Sequence, residues 1–402
     1  MGACWIDVDQ DGDEDLYIAS GSNEWPIGDE LYRDRLYIND GAGNFSFAAD
    51  AIPDIRLSSS CVRSADFDGD GDLDLFVGAR IIPGKYPFPA KSSLLENENG
   101  VFKDVTNQYA REWEEAGLVT DAHWFDYDGD GDLDIIISAE WQALRIFRND
   151  GSAFEEITSE TKLDSYKGWW TSLTPCDLNS DGQIDFIAGN LGLNSRLKSK
   201  PDQSFEVYAA DFDQNQTHDI VLGIQEAGQT YPLRGRECSS NQMPFIKEKF
   251  KTYDAFGRAT LNEVYGDKLK DALHYEANWM ASSYIENLGD GTFSVKALPM
   301  KAQISTVQGA MVSDVNHDGH QDVILAGNLY QMEVETPRQD ASVGLVLLGD
   351  GKGELKAIPY SESGFFAAGD VKSIKKLRGP GGRTLVLTVN NNGPLNIHFV
   401  KQ

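Results

Sequence analysis

Long apolar runs are missing from this 402-residue chain, and no stretch of 18 residues is apolar enough to cross a membrane as a helix. Cysteine is scarce: Cys4, Cys61, Cys176 and Cys238 lie far apart, which excludes a dense disulfide framework and reads as buried free thiols. The six histidines share no Cys/His metal spacing, and no G-x-S-x-G nucleophile motif occurs. Neither a Pro/Ser-rich linker nor a low-complexity run divides residues 1–402, so the chain reads as one domain. Positive charge is short as well. Lys and Arg number 35 against 64 Asp and Glu, a formal charge of −29, which argues against nucleic acid as a partner.

The acids are not spread evenly. In "DYDGDGDLDIII" (126–137), Asp126, Asp128, Asp130 and Asp134 fall at positions 1, 3, 5 and 9 of a loop, with Gly131 at position 6. Oxygen ligands at alternate positions, a glycine for the sharp turn and a carbonyl from Asp132 suit a hard cation such as Ca²⁺. An EF-hand needs a glutamate at position 12 and a helix beyond it. Here position 12 is Ile137, and "LDIIIS" has the β-branched apolar character of a buried strand.

The same spacing recurs five more times, at Asp7, Asp66, Asp177, Asp211 and Asp314. The ligand positions, including the carbonyl donor at position 7, are these. The first loop has Asp7, Asp9, Asp11, Asp13 and Asp15; the second has Asp66, Asp68, Asp70, Asp72 and Asp74; the third has Asp126, Asp128, Asp130, Asp132 and Asp134. The fourth has Asp177, Asn179, Asp181, Gln183 and Asp185; the fifth has Asp211, Asp213, Asn215, Thr217 and Asp219; the sixth has Asp314, Asn316, Asp318, His320 and Asp322. Ligand positions 1, 3, 5 and 9 account for 21 of the acids, so six divalent ions would bring the formal charge to about −17.

Strand–turn–strand patterns such as "YINDGAGNFSF" (37–47) and "YIENLGDGTFSV" (284–295) follow the loops. One unit therefore reads strand, acidic loop, strand, hairpin: four antiparallel strands, the make-up of a propeller blade. Units start near residues 1, 60, 120, 170, 204, 306 and 364. The expectation is all-β: a seven-bladed β-propeller with metal loops between strands one and two of most blades. Blade four is shortened, since only 34 residues separate Asp177 from Asp211, and the hairpin at 284–295 falls to blade five. Residues 232–282 read as two or three short helices inserted in blade five. The last unit keeps Asp370, but Lys372, Lys375 and Lys376 stand where ligands would be, so it is expected to hold no metal. It has strands near 365–370, 384–389 and 395–400 and lacks a fourth. The ring should then close by packing blade seven on blade one, without a shared strand.

The acidic loops and hairpins resemble the FG-GAP/VCBS repeats of integrin α-subunit propellers and of cartilage-acidic-protein-like bacterial surface proteins. Stretches such as "DLFVGARIIPGKYP" and "AGNLGLNSR" are similar to long VCBS-repeat proteins of Bacteroidetes. The resemblance implies a calcium-stabilised propeller with about five or six Ca²⁺. The fifth loop is expected to be the weakest site, because Gln216 occupies the glycine position.

The loops joining strands one and two share one face of such a ring. The opposite face collects Arg80, Glu140, Trp141, Trp169, Trp170, Asn190 and Asn328, polar groups beside aromatics at a propeller mouth. These are the candidate ligand-binding residues, and no catalytic residue is assigned. The expected function is a non-catalytic binding module for a glycan or protein at the cell surface. The alternative is a carbohydrate-active enzyme, such as a polysaccharide lyase, on the same scaffold. Weak-affinity calcium modules belong outside the cell, which points to an extracellular, cell-surface or periplasmic location. "MGACWIDVD" enters the first repeat without a signal-peptide pattern, so the chain is expected to be part of a longer exported polypeptide.

Overall fold

A strand buried on both faces needs apolar residues at every position, and one covered on a single face alternates. Both kinds occur in the computed structural model, which describes residues 2–200, 203–332 and 335–400. Asp134–Gln142 (DIIISAEWQ) is buried at every residue but the last. Asp15–Ile18 (DLYI) alternates buried and half-buried.

Among the described residues these strands form seven antiparallel sheets. The first contains Ala3–Ile6, Asp15–Ile18, Arg35–Asn39 and Phe45–Phe47, in that order. The second repeats the scheme with Ser58–Ala65, Asp74–Ile81, Ser93–Glu98 and Val101–Asp104. The third has Leu118–Phe125, Asp134–Gln142, Arg145–Asn149 and Phe154–Glu156, with Gly168–Trp169 paired to the far end of its second strand. The fifth, Gly309–Ser313, Asp322–Ala326, Leu345–Gly349 and Leu355–Ile358, keeps the same order. The last sheet has three strands, Val371–Arg378, Thr384–Asn390 and Leu395–Phe399.

The fourth sheet departs from the expected pairing. Its order is Ser172–Cys176, Asp185–Gly189, Ser283–Asn287, Phe293–Ala297, so the hairpin expected in unit five completes unit four instead. Phe186 pairs with Ile285 and Ala188 with Ser283 across nearly a hundred residues of sequence. The fifth acidic loop belongs to a separate inserted sheet of Phe205–Ala210, Asp219–Glu226, Gln229–Pro232 and Leu273–Ala277. Four short helices, Arg236–Gln242, Phe245–Lys249, Tyr253–Gly257 and Leu261–Tyr265, lie between its last two strands. Thr260 and Glu263 form a reciprocal capping box at the start of the fourth helix. Ile246, Phe256 and Val264 bury these helices against Phe212 and Val221 of the inserted unit.

The inserted sheet packs on the third sheet through Trp141, Leu118, Phe205 and Val207. The other six sheets follow one another around a central cavity of about 890 Å³, and each contributes its first strand to the lining through residues such as Trp5, Arg63, His123, Thr174, Met311 and Lys375. Apolar clusters join each of these six sheets to the next in sequence. Two expectations about the end of the chain need correction. The last sheet's first strand is Val371–Arg378, not 365–370, so Lys375 and Lys376 lie on a strand beside the cavity rather than in a degenerate loop. No shared strand closes the ring, as expected, but among the described residues no apolar cluster joins the last sheet to the first.

Candidate metal-binding loops

Each acidic loop is held by the same three sets of hydrogen bonds. At position 1, the aspartate accepts from the backbone N–H of position 6: Gly12 to Asp7 (3.1 Å), Gly71 to Asp66 (3.1 Å), Gly131 to Asp126 (3.2 Å), Gly182 to Asp177 (3.2 Å), Gln216 to Asp211 (2.8 Å) and Gly319 to Asp314 (3.0 Å). Position 6 must then adopt a positive φ, which is +98° at Gly131 and +70° at Gln216. The glutamine accepts a backbone conformation that costs on the order of 1 kcal/mol without a glycine. At position 5 the side chain accepts from the N–H of position 7, as in Asp72 to Asp70 (2.9 Å) and His320 to Asp318 (2.9 Å).

Position 9 does more than spacing alone suggests. Asp15, Asp74, Asp134, Asp185, Asp219 and Asp322 are all buried. One oxygen of Asp74 accepts from the N–H of Phe67 in the loop (3.1 Å), and the other accepts from the N–H of Asn97 on the third strand (2.8 Å). Asp134 does the same with Tyr127 and Asn149, and Asp322 with Val315 and Gly349. In the inserted unit the third strand pairs only from Gly223 onward and does not reach Asp219, and the Gln242 amide from the first helix replaces the second donor (3.1 Å to Asp219). Position 9 thus clamps loop and sheet together, with or without a cation.

The third-strand asparagines were missed by sequence reasoning. The Asn97 amide donates to the Val8 carbonyl (2.9 Å) and the Asn149 amide to the Phe67 carbonyl (2.8 Å), each tying one sheet to the loop of the preceding one. The signal lies in the Asn of "ENENG" (96–100) and "RNDG" (148–151), each just ahead of a hairpin turn.

Four loops bring three acidic side chains close enough to share one ion, with ligand atoms within 4.8 Å of one another: Asp7, Asp9 and Asp15; Asp66, Asp68 and Asp70; Asp126, Asp128 and Asp134; Asp211, Asp213 and Asp219. The loop expected to be weakest is among them. In it one carboxylate oxygen of Asp213 is buried without a hydrogen-bond donor, an orphan that a cation would satisfy. In the loops at Asp177 and Asp314, the asparagine at position 3 donates to the carboxylate at position 5 (Asn179 to Asp181, 2.9 Å; Asn316 to Asp318, 2.8 Å). There an internal hydrogen bond does part of what an ion does elsewhere.

Electrostatics at position 9 follow burial in both kinds of loop: burial raises Asp322 of the Asp314 loop as well. At position 1 of the fifth loop, the Gln216 and Asn215 N–H groups outweigh burial and hold Asp211 low. Burial pushes Asp74 up to about 7, and Asp134 and Asp185 up to about 6, against the lowering effect of the N–H donors. Burial and then the charge of Asp11 raise Asp9, and burial raises Asp68. By contrast, the His320 N–H and the Asn316 amide hold Asp318 below the usual carboxylate range. An all-oxygen set whose acids resist ionisation is matched to a hard divalent cation.

The opposite face is built differently from the expected ligand site. Trp170, Asn190 and Asn328 are wholly buried, and Glu140 and Trp141 nearly so. The Asn328 amide donates to Ser342 (2.9 Å) and Gly369 (2.7 Å), and its carbonyl accepts from the Ser305 hydroxyl (2.7 Å). Asn190 accepts from the Trp169 N–H (3.1 Å) and donates to the Trp279 carbonyl (3.0 Å). Trp169 stacks at a tilt on Trp141, 5.5 Å between ring centres. Arg80 donates to one oxygen of Glu140, and the Tyr86 hydroxyl donates to the other (3.1 Å). Asn190, Asn328 and Glu140 are thus engaged by neighbouring protein groups and lock the framework, while the Arg80 side chain stays 53% exposed and the buried Trp170 indole N–H has no hydrogen-bond partner. No disulfide joins the four cysteines; Cys61 and Cys176 are buried and Cys4 and Cys238 half-buried.

Comparison with known proteins bears on the loops. Residues 7–77 and 126–188 match the family model of an FG-GAP-like repeat; each match runs from the first aspartate of one acidic loop to the second strand of the next sheet. No curated protein matches. Among solved structures, the chain is similar to the V. cholerae biofilm matrix protein Bap1, at 10% identity and a TM-score of 0.36, over 97% of this chain and 74% of that one. It is also similar to BBS1N in complex with ARL6DN in a mercury-soaked crystal, at 10% identity and a TM-score of 0.37, over 100% and 92%. The FG-GAP-like repeat matches lie in two segments, 7–77 and 126–188, of an all-β framework of antiparallel sheets.

Proposed function

We propose that the chain is a calcium-stabilised β-propeller that serves as a non-catalytic binding module outside the cell. The convergence of three carboxylates in each of four equivalent loops carries this reading. Six sheets are its blades, and the inserted sheet with its helices is an accessory unit hung from the fourth. The loops at Asp7, Asp66, Asp126 and Asp211 hold Ca²⁺ most firmly, and those at Asp177 and Asp314 hold it less firmly. Extracellular calcium, at millimolar level, suits loops of this charge. The ligand is a glycan or a protein. The open cleft of about 750 Å³ between the third and inserted sheets, where Arg145, Lys167, His274, Tyr275 and Glu276 meet, offers charged and aromatic groups for it.

The enzyme reading is the weaker one, because both oxygens of Glu140 are engaged by Arg80 and Tyr86. A glycan array in calcium buffer, followed by analysis of the eluted ligand, tests the proposal. A binding module returns the glycan intact, whereas unsaturated chain ends on the recovered sugar would establish a lyase.

A further inference from the structure

The inserted sheet has an edge that faces a second sheet across an open cleft. Leu273–Ala277 is its outermost strand, paired only with Phe205–Ala210. Three consecutive residues of that strand, His274, Tyr275 and Glu276, line the cleft of about 750 Å³. Successive side chains of a strand point to opposite faces, so a cleft touched by all three runs along the edge itself. Among the described residues, no backbone hydrogen bond reaches that edge before the Asn278 N–H donates to the Lys167 carbonyl (2.8 Å). Residues 273–276 therefore present a ladder of unused N–H and C=O groups about 13 Å long. The far wall belongs to the third sheet, with Arg145, Glu156 and the helical turn that carries Glu112 and Glu115.

The charges in this cleft do not cancel. Its two fixed cations are engaged, Arg145 by Glu156 (2.6 Å) and Lys167 by Glu276 (2.7 Å). Glu112, Glu115 and Asp164 also line it, and among the described residues no Lys or Arg pairs with them. Tyr275 lies in the field of one of these acids: burial raises its phenol, the Glu115 charge raises it further and Arg145 opposes both. An aromatic wall beside an unpaired carboxylate suits the stem and head of a Lys or Arg side chain. The Gln142 side chain lines the cleft as well, and its carbonyl oxygen is buried without a hydrogen-bond donor. The unmet needs are thus positive charge, N–H donors and a partner for a strand edge. An acidic glycan supplies none of the first and a neutral one no ladder; an extended basic peptide supplies all three.

We infer that the partner of this cleft is an extended, basic segment of another protein, which adds to the inserted sheet as a fifth strand beside Leu273–Ala277. The inference rests on the cleft being the binding site of the proposed function, and it names the occupant.

Fluorescence anisotropy with the intact chain in calcium buffer tests it, the probe being a short blocked peptide of alternating lysine and valine. The probe should bind, bind less tightly as salt is raised, and slow amide exchange over residues 273–276. A peptide with glutamate in place of lysine should not bind. Two further probes are N-methylated, one on every lysine and one on every valine. Alternate N–H groups of a strand point to opposite edges, so one of the two should lose affinity by on the order of tenfold or more and the other should keep it. Glu115→Lys with Asp164→Lys should weaken the lysine probe by a similar factor; Glu115→Gln with Asp164→Asn replaces it should the charge reversal alter the melting curve. No binding of the lysine probe, equal binding of the glutamate probe, indifference to both methylations, or unchanged exchange at 273–276 would each overturn the inference. A glycan that binds and is lost in the double variant, with no peptide binding, would overturn the inference while keeping the cleft as the site. Peptide or glycan binding that the double variant leaves unchanged would overturn the assignment of the cleft itself.

Discussion

The loops at Asp66 and Asp177 share a backbone and differ in chemistry. Both fold over a position-1 aspartate and are anchored by a buried position-9 aspartate. In the first, Asp66, Asp68 and Asp70 crowd together; in the second, Asn179 donates to Asp181 and removes one charge. The difference separates two jobs that spacing alone merges. Positions 1 and 9 build the loop, and position 3 decides how strongly the loop needs a cation. A loop can therefore keep its shape after its metal dependence weakens, which is why the repeat remains readable in all six copies.

The largest expected effect comes from removing the ion from the acidic loops. Excess chelator should lower the melting temperature by on the order of 10 °C, and calcium should restore it by mass action. Magnesium at equal concentration should restore less, since it demands a tighter octahedral shell. An unchanged melting curve would mean that the triads do not depend on metal.

Next in size is the clamp. Asp74→Ala strips acceptors from two buried N–H groups and should cost about 2–4 kcal/mol in denaturant unfolding, in chelator as well as in calcium. Asp68→Asn should cost stability only when calcium is present. Equal losses for both variants in chelator would erase the distinction between the two positions.

Metal-free stability should also depend on pH, with a sign set by burial. Asp74 at about 7 and Asp134 and Asp185 at about 6 lie above the unfolded value of roughly 3.9. Between these limits the folded chain holds more protons than the unfolded one. Stability in chelator should therefore fall as pH rises from about 4 to 7. Calcium should flatten or reverse that slope, because it binds the ionised form. Melting curves across this range with and without calcium would show it.

Smaller effects sharpen the comparison at single residues. Asn179→Asp should convert the fourth loop to the acidic type and add about 1 kcal/mol of calcium-dependent stabilisation while lowering metal-free stability. Gln216→Gly should relieve the positive φ of the fifth loop by on the order of 1 kcal/mol.

Much of this was legible in sequence because the loop signal is local. Acid spacing, the position-6 glycine and the following apolar strand all fall within a dozen residues. The partner of the 284–295 hairpin was not legible. Its strand–turn–strand pattern is the same whichever sheet it joins, and the pairing of Phe186 with Ile285 spans the whole inserted unit. The start of the last sheet was misplaced because Asp370 resembles a position-1 ligand, whereas it precedes the strand. The tryptophans and asparagines of the opposite face were misread for a related reason. Burial of Trp170 and Asn328 depends on neighbours remote in sequence, and a polar residue beside an aromatic looks alike whether it faces solvent or is satisfied inside.

Calcium titration calorimetry of the metal-free chain, run beside Asp68→Asn, tests the central claim most directly. The account predicts at least four calcium ions per chain, with the variant losing affinity at one site and keeping the rest. Fewer than four ions, or an isotherm that the substitution leaves unchanged, would contradict it.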